Sequence, residues 1–437
     1  MKIAHIIPGS GGSFYCGNCL RDSKYVGALK EMGHEVIKVP MYLPLFDDGH
    51  DINDVPVFYG AVNLYLKQNY RLFRHMPAFI EHALDSKSLL TMAAQKAGST
   101  RAKGLEEMTL SMLLGEEGLQ HAELEKMVDW LAEEAKPDVV HLSNALLLGL
   151  TRRIKQRMNI PVVCSLQDED VWVDVMSEKY RNEIWSLMSE RGAEVDAFIS
   201  VSDYYASEIL KKMKIREDQL STVHLGVDTF DYYPKTISWK EPVIGYMSRM
   251  CEENGLDILV DAFILLHRSG QFNDVKLHIT GGKTADDLRY VKDLKTRVNR
   301  AGLFEKVMWD EEFGGEERQI FFDSVRVISV PVPNGEAFGL YLLEAMASGI
   351  PVVQPALGAF PEVINLSGGG ILYSPNNPSH LAEALGSVIL DIEKLNDLSV
   401  AALSGVKKHF DIYKQAEKMV SVYQKVLKRY KPADEAI

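Results

Sequence analysis

Two glutamates, Glu336 and Glu344, flank a glycine-containing turn in the C-terminal half of the chain. The stretch reads NGEAFGLYLLEAMASGIPVV, and its glycines predict a strand-to-helix turn with the helix beginning at about Gly339. The free amides of Phe338, Gly339 and Leu340 would then favour an anion such as a diphosphate, because the helix dipole is positive there. The carboxylates repel phosphate but accept hydroxyl hydrogen bonds. The stretch therefore predicts a nucleotide-sugar site; the alternative is an acid that only stabilises its own helix.

A second chemistry-bearing stretch, PGSGGSFYCGNCLRD, follows the first predicted strand. The loop glycines, including Gly11 and Gly12, would let the backbone approach donor phosphates or an acceptor; the alternative is a plain tight turn. Cys16 and Cys19 are either small residues packed at a helix start, a reversible disulfide or part of a soft-metal site. We favour the first interpretation, with the cysteines shaping the floor of a cleft.

The elements that must position these residues form two α/β domains. Apolar strands alternate with helices from KIAHII to about residue 228, with an aromatic-rich insertion at about 42–125. TFDYYPKTISWKEP interrupts the pattern as a linker, and a second alternating region covers 229–414. The pattern predicts two doubly wound, Rossmann-like domains facing a central cleft, with ligands beyond the carboxyl ends of the strands. An amphipathic helix at about 415–437 is assigned to the first domain.

Composition excludes several classes of protein. With 46% hydrophobic and 25% charged residues among 437, the chain is globular and long enough for more than one core. A formal charge of −13 argues against a nucleic-acid partner. No apolar run approaches the roughly 18 residues of a membrane span, and the N terminus does not resemble a signal peptide. With only four cysteines, the expected location is the cytoplasm.

Taken together, these motifs resemble the retaining GT-B glycosyltransferases of family four. The similarity covers essentially the whole chain, because GHEV, PDVVHLSN, FISVSDY, HLGVD and GYMSRMCEENGLD follow the family order before EAFGLYLLEAMASGIPVV and GAFPEVI. The resemblance implies that Glu336 contacts hydroxyls of the donor sugar and that Glu344 holds the nucleotide ribose. It also implies that Arg249 contacts the diphosphate and stabilises the leaving group.

The chain departs from the family pattern at three positions. Asn254, which we predict to bind the donor, stands where relatives carry a second diphosphate-binding lysine. Gln167, which we predict to be a catalytic residue, stands where many relatives carry a histidine that touches the donor sugar. Leu225 replaces an asparagine that usually precedes the glycine of HLGVD. Glutamine can hydrogen-bond a hydroxyl but cannot act as a base at neutral pH. We consider three cations that could compensate for the lost lysine charge: Arg21, Lys283 and Arg318.

The resemblance implies a retaining hexosyltransferase that uses a nucleotide-sugar donor and requires no cofactor and no metal. The acidic stretches DDGHD and DED are interpreted as solvated loops. The acceptor is open between a glycan, a lipid and a small metabolite, and peripheral membrane contact is possible. The alternative is a catalytically silent GT-B protein that binds a nucleotide sugar or a partner. A third hypothesis, a thiol or metal enzyme, depends on Cys16, Cys19, Cys164 and Cys251, all expected at strand ends.

Overall fold

A computed structural model of the chain describes residues 1–8, 17–42, 58, 104–237 and 240–430, with the backbone only for Asn18 and Cys19. The described chain forms two compact units. Unit 1 contains most of the chain before Leu225 and the chain from Gln415 onward. Unit 2 contains Leu225–Lys414.

Unit 1 is built on a six-stranded parallel sheet with the order β2-β1-β3-β4-β5-β6. Its strands are β1 (Lys2–Ile7), β2 (Glu35–Pro40), β3 (Val139–Leu142), β4 (Val162–Leu166), β5 (Ala197–Ser200) and β6 (Leu220–Thr222). Every residue of the three strands β3, β4 and β5 is buried. Burial of both faces explains why these strands read as unbroken runs instead of alternating patterns.

Helices connect the strands of unit 1. They are α1 (Gly17–Glu31), α2 (Glu106–Leu114), α3 (His121–Trp130), α4 (Thr151–Met158), α5 (Glu169–Val173), α6 (Glu178–Gly192) and α7 (Asp203–Lys212). A π-helical turn, Leu131–Ala135, extends α3, and a 3-10 turn, Ala145–Leu150, precedes α4. Helix α7 begins at a sequence-readable cap, because the Ser202 side chain accepts a hydrogen bond from the Tyr205 amide.

Unit 2 repeats this architecture with the parallel order β12-β11-β10-β7-β8-β9. Its strands are β7 (Val243–Met247), β8 (Lys276–Thr280), β9 (Val307–Trp309), β10 (Val327–Ile328), β11 (Val352–Pro355) and β12 (Gly370–Tyr373). Its helices are α8 (Leu256–Arg268), α9 (Leu288–Arg300), α10 (Gly315–Ser324), α11 (Leu340–Ala347), α12 (Phe360–Ser367), α13 (Pro378–Gly386) and α14 (Ile392–His409). Two doubly wound parallel sheets confirm the predicted α/β class.

The last helix, α15 (Ile412–Leu427), carries the chain from unit 2 into unit 1. It begins earlier and ends earlier than the predicted helix at about 415–437, and residues 431–437 lie outside the described chain. The Tyr423 hydroxyl lies 2.5 Å from Nδ1 of His141 in β3. The Tyr430 hydroxyl donates to Asp196 at 3.0 Å, so the C-terminal segment is fastened by polar contacts at two places.

Most of the predicted insertion at about 42–125 falls outside the described residues, which resume at Gly104 and continue into α2. The acceptor side, which the family resemblance assigns to this insertion, therefore lies largely outside the described residues. None of the helices in the described ranges is both long and apolar enough to cross a bilayer.

Candidate functional site

In unit 2, the strand order reverses between β7 and β10, which are hydrogen-bonded neighbours. The chain moves outward from β7 through β8 to β9, and then returns to the other side of β7 as β10. The connections after β7 and after β10 therefore leave the same sheet edge in opposite directions, and ligands of doubly wound sheets bind at such a point. Arg249 follows β7 and Glu336 follows β10, so the topology places both predicted residues at this edge.

Helix α11 begins where the sequence predicts, with Gly339 as its N-cap at φ 91°. This left-handed conformation favours glycine. Gly335 permits a second close approach, because a Cβ there would lie 2.5 Å from the amide nitrogen of Gly358. Among the described residues, the amides of Gly339 and Leu340 have no hydrogen-bond acceptor. Two donors at a dipole end can bind an anion.

Glu336 is half-buried, and its backbone oxygen accepts a hydrogen bond from Ala359 at 3.0 Å. Burial, with the Glu336 carboxylate nearby and hydrogen-bonded to the Tyr341 side chain, raises the pKa of Tyr341 well above its usual range. Gln354 in turn contacts the Tyr341 hydroxyl at 3.4 Å and accepts from the Val330 amide at 2.9 Å. The Glu336 carboxylate is thus oriented by a buried tyrosine that the sequence analysis did not identify.

Glu344 is fully buried in α11. Its Oε1 atom accepts hydrogen bonds from the Tyr232 hydroxyl at 3.0 Å and from Arg318 Nη1 at 3.1 Å. Arg318 also donates through Nε to the carbonyl of Phe313, at 3.1 Å. Without such partners, burying this carboxylate would destabilise the fold. Tyr232 comes from the segment that the sequence presents only as a linker.

Arg249 is held by a bidentate pair with Asp287, at 2.8 Å for both contacts, and by Thr284 Oγ1 at 3.2 Å. Burial alone would lower the pKa of Arg249, but the hydrogen bond and charge of Asp287 raise it above its ordinary value. The same contacts lower the pKa of Asp287 against the opposite effect of its burial. Arg249 is therefore fixed in direction, with part of its charge balanced by a neighbour.

Asn254, predicted to bind the donor, uses its side chain within the loop that follows β7. Its Nδ2 atom donates to Ser248 Oγ at 2.8 Å and to the Arg249 carbonyl at 3.2 Å. These bonds fasten the loop that carries Arg249. The neutral side chain supplies no charge to an anion.

In unit 1, Gln167 follows β4, and its Nε2 atom donates to the Ser143 carbonyl at 2.8 Å. Arg21 Nη2 donates to the same carbonyl at 3.2 Å and also pairs with Asp22. The buried Oε1 atom of Gln167 has no partner in the described part of the chain. Gly11 and Gly12 lie outside that part, so their predicted contact with the donor remains a prediction.

Glu169 is a buried acid that the sequence analysis assigned to a solvated loop, and that assignment is wrong. Its carboxylate accepts hydrogen bonds from the amides of Ala145 at 2.9 Å and Gln167 at 2.8 Å. Its Oε2 atom also accepts from the Tyr205 hydroxyl at 2.7 Å. Burial outweighs these bonds and raises the pKa of Glu169 to about 7. Through these hydrogen bonds, Glu169 links the loop after β3 to the loop after β4.

The raised pKa of Glu169 predicts a pH-dependent stability. The pKa of Glu169 is 4.5 in the unfolded state and about 7 in the folded state, so the folded state binds the proton more tightly. Its stabilising contribution is complete below pH 4.5 and is lost as pH rises through about 7. Such a shift is equivalent to about 3 kcal/mol. Thermal unfolding midpoints of wild type and Glu169→Gln should therefore diverge between pH 5 and pH 8, with the variant falling less. Parallel curves would contradict this assignment.

Of the two cysteines whose side chains the structure describes, Cys251 follows β7 as predicted, whereas the prediction for Cys164 is wrong. Cys164 is the third residue of β4 and not at a strand end, and it is fully buried. Burial raises the pKa of its thiol well above the usual range, and burial raises that of Cys251 to about 12. Neither thiol is a nucleophile at neutral pH. Cys16 and the Cys19 side chain lie outside the described residues.

Family models match both halves of the chain. The model "Glycosyltransferase Family 4" matches residues 110–230, and "Glycosyl transferases group 1" matches 241–391. This chain is a member of glycosyltransferase family 4. The MMP alpha-(1->4)-mannosyltransferase of Mycolicibacterium hassiacum is 25% identical to it over 92% of each chain. The lipopolysaccharide core biosynthesis mannosyltransferase LpsB of Rhizobium meliloti is 28% identical over 57% of this chain and 70% of its own length.

Solved structures show that this family 4 glycosyltransferase has the GT-B fold. The sucrose-phosphate synthase of Thermosynechococcus elongatus superposes with a TM-score of 0.73 and 17% identity, covering 98% of this chain and 99% of the other. Anabaena HepE in complex with UDP superposes with a TM-score of 0.68 and 17% identity, and the match covers 97% of this chain and all of the other.

Three residues that orient the site in this glycosyltransferase were missed from the sequence: Asp287, Tyr232 and Tyr341. A signal existed for Asp287, because Thr284 and Asp287 have the spacing of a capping box, which the structure contains. Tyr341 occupies an apolar face of α11, where a tyrosine looks like an ordinary core residue. Tyr232 gave no signal, since it lies in an irregular segment far from Glu344 in the chain.

Proposed function

We propose that the chain transfers a hexose from a nucleotide-sugar donor to an acceptor hydroxyl with retention of anomeric configuration. The observation that carries the proposal is the placement of Arg249, the amide-bearing start of α11 and Glu336 on the two loops that leave the β7/β10 switch point. Membership of family 4 supports it, as do two mannosyltransferases among the relatives. A structural neighbour, Anabaena HepE, has been crystallised in complex with UDP and with UDP-glucose.

The residues of unit 2 divide among the parts of such a donor. The diphosphate is bound by Arg249 and by the amides of Gly339 and Leu340. The ribose hydroxyls bind at Glu344, and the hexose hydroxyls bind at Glu336. Carboxylates suit both positions because each can accept two hydroxyl hydrogen bonds without repelling a neutral ring.

In the proposed reaction, the bond between the anomeric carbon and the diphosphate oxygen breaks first, and its electron pair stays on that oxygen. Arg249 and the start of α11 stabilise the negative charge that develops there. The acceptor oxygen attacks the anomeric carbon from the face that the leaving group occupied, and its proton passes to the departing diphosphate. The scheme uses no cofactor and no metal, and Gln167 contributes a hydrogen bond to the sugar and not a base.

A panel of donors tests this function. UDP-, GDP- and ADP-sugars are incubated with the protein, and nucleotide release is measured with and without candidate glycans, lipids and small metabolites as acceptors. We expect release from one class of donor. The neutral Asn254 and Gln167 favour a second candidate, a silent nucleotide-sugar binding protein. Tight binding of a donor with no release from any would support that candidate and overturn the transferase.

A prediction with a smaller expected effect concerns the proposed contact between Glu344 and the donor ribose. Tyr232→Phe removes a donor from the buried Glu344 carboxylate, which costs roughly 1–3 kcal/mol when the group stays unsatisfied. Calorimetry should show about tenfold weaker binding of the nucleoside diphosphate released in the donor assay. Inorganic pyrophosphate, which lacks the ribose, should bind the variant and wild type equally.

The matched control is Tyr413→Phe, which removes a tyrosine-to-carboxylate bond of 3.1 Å to Asp228, also in unit 2. That variant should bind the nucleoside diphosphate as wild type does. Equal loss of nucleotide and pyrophosphate affinity in Tyr232→Phe would argue against a ribose role for Glu344.

A further inference from the structure

The diphosphate site proposed above lacks positive charge. A nucleoside diphosphate carries more than one negative charge, whereas Arg249 already shares its charge with Asp287. Asn254, five residues after Arg249 on the same loop, is neutral and bonded within that loop. A second cation from elsewhere in the chain would balance the charge of the bound diphosphate.

Two of the three cations considered from the sequence are committed to other contacts. Arg21 is buried in unit 1, where it pairs with Asp22 and donates to the Ser143 carbonyl. Arg318 pairs with the buried Glu344 carboxylate and with the Phe313 carbonyl. Moving either side chain would take the paired arginine away from a buried carboxylate, which is costly.

Lys283 lies on the loop that follows β8, the strand paired with β7. This loop touches the Arg249 loop through the backbone: a Cβ at Gly281 would lie 2.2 Å from the Ser248 carbonyl oxygen. The Met250 amide donates to the Gly282 carbonyl at 2.9 Å. The next residue, Thr284, contacts the Arg249 guanidinium. Lys283 is therefore flanked on both sides by residues that contact the arginine or its loop.

A phosphate group could replace Glu311, the residue with which Lys283 forms an ion pair in the structure. Its ammonium group forms an ion pair with Glu311, whose side chain is 66% exposed, while the lysine side chain is 14% exposed. Water hydrates the exposed Glu311 carboxylate readily once it is released, whereas the mostly buried Lys283 ammonium needs a negatively charged partner, which a phosphate group supplies equally well. A diphosphate arriving at Arg249 can take the place of Glu311 at little cost.

We propose that Lys283 supplies the second positive charge on the donor diphosphate, the role that Asn254 cannot perform. Its flexible four-carbon stem lets the ammonium group move from Glu311 to a phosphate oxygen. As the bond to the sugar breaks, Lys283 and Arg249 share the charge that remains on the diphosphate. The inference rests on the proposed donor site and deepens it by one named residue.

The test measures binding of UDP, GDP and ADP by calorimetry, followed by the rate of release from the matching sugar donor. Lys283→Gln should weaken binding of the preferred nucleoside diphosphate by roughly 10- to 100-fold, as expected for one lost charge-assisted contact. Lys283→Arg should retain most of the affinity. Adding Asn254→Lys to Lys283→Gln should restore it, because the charge returns to the same edge of the sheet from the neighbouring loop.

Lys276→Gln is the matched control, since it removes a lysine paired with the exposed Glu241 at the opposite end of β8. It should bind like wild type. Wild-type affinity in Lys283→Gln, with wild type itself binding and cleaving donor, would overturn the inference and leave the proposed function standing. Failure of wild type to bind any of the three nucleotides would overturn both. A lack of rescue by Asn254→Lys, with the variant folded, would also count against the charge argument.

Discussion

Glu336→Gln should lower kcat for donor cleavage by roughly 100-fold or more while leaving the fold intact. The substitution keeps the shape of the side chain but removes the charge that strengthens its hydrogen bonds to hydroxyls, and two such bonds at 1.5–3 kcal/mol each account for a loss of that size. The Tyr341 hydroxyl can still donate to the amide oxygen, so the side chain should remain in place. The measurement is the initial rate of nucleotide release at saturating donor, with thermal unfolding as the check on folding.

Glu383→Gln is a suitable control, because this exposed acid lies in α13 and its loss should not change the rate. If Glu336→Gln turns over like wild type, the acid does not contact the reacting sugar, and the account of the hexose site is wrong.

The second large effect is expected at Arg249. Its replacement by glutamine should lower kcat/KM by roughly 100- to 1,000-fold, since the guanidinium both binds the diphosphate and stabilises the leaving group. The loss should be smaller for Arg249→Lys, which keeps the charge but not the bidentate geometry. Nucleotide release over a range of donor concentrations separates the effect on KM from the effect on kcat.

A complication of this variant is that Asp287 loses its partner, and a buried acid left alone destabilises a fold by about 3–5 kcal/mol. The double variant Arg249→Gln, Asp287→Asn removes both charges, so it should regain stability but not activity. Arg297→Gln, which breaks an exposed pair with Asp261, serves as the control. Recovery of activity in the double variant would show that Arg249 acts only through the stability of the loop.

Local patterns predicted backbone structure well where one stretch contains all the necessary signals. The start of α11 is such a case, because Gly335 and Gly339 are required by close backbone approach and by a left-handed φ, and the apolar run that follows reads as a buried helix. The parallel sheets were predictable for the same reason, since buried strands and their connecting helices differ in length and composition.

Contacts between distant parts of the chain were not predictable in this way. Asp287 contacts Arg249 because the loops after two neighbouring strands lie side by side, and Tyr232 contacts Glu344 because the linker packs against α11. No periodic pattern in the sequence indicates either contact. Cys164 was misplaced because strand ends are poorly marked in a run of buried residues. Glu169 was assigned to solvent because its neighbours in DED are acids. In the structure its carboxylate is buried and accepts three hydrogen bonds.

The helices α13 and α14 show a signal that was present but not used. Asn377 caps α13 with its side chain, and Pro378 occupies the first turn, where a missing amide costs nothing. Asp391 caps α14 in the same way, by accepting from the Lys394 amide. Both starts were readable from capping residues alone, without any hydrophobic period.

The central claim is that the diphosphate of a nucleotide binds in unit 2 between the Arg249 loop and the start of α11. A crystal structure with the preferred nucleoside diphosphate tests it most directly. We expect phosphate oxygens within hydrogen-bond distance of Arg249, Lys283 and the amides of Gly339 and Leu340, with the ribose hydroxyls at Glu344. A nucleotide bound with its phosphates away from Arg249 and α11 would contradict the account.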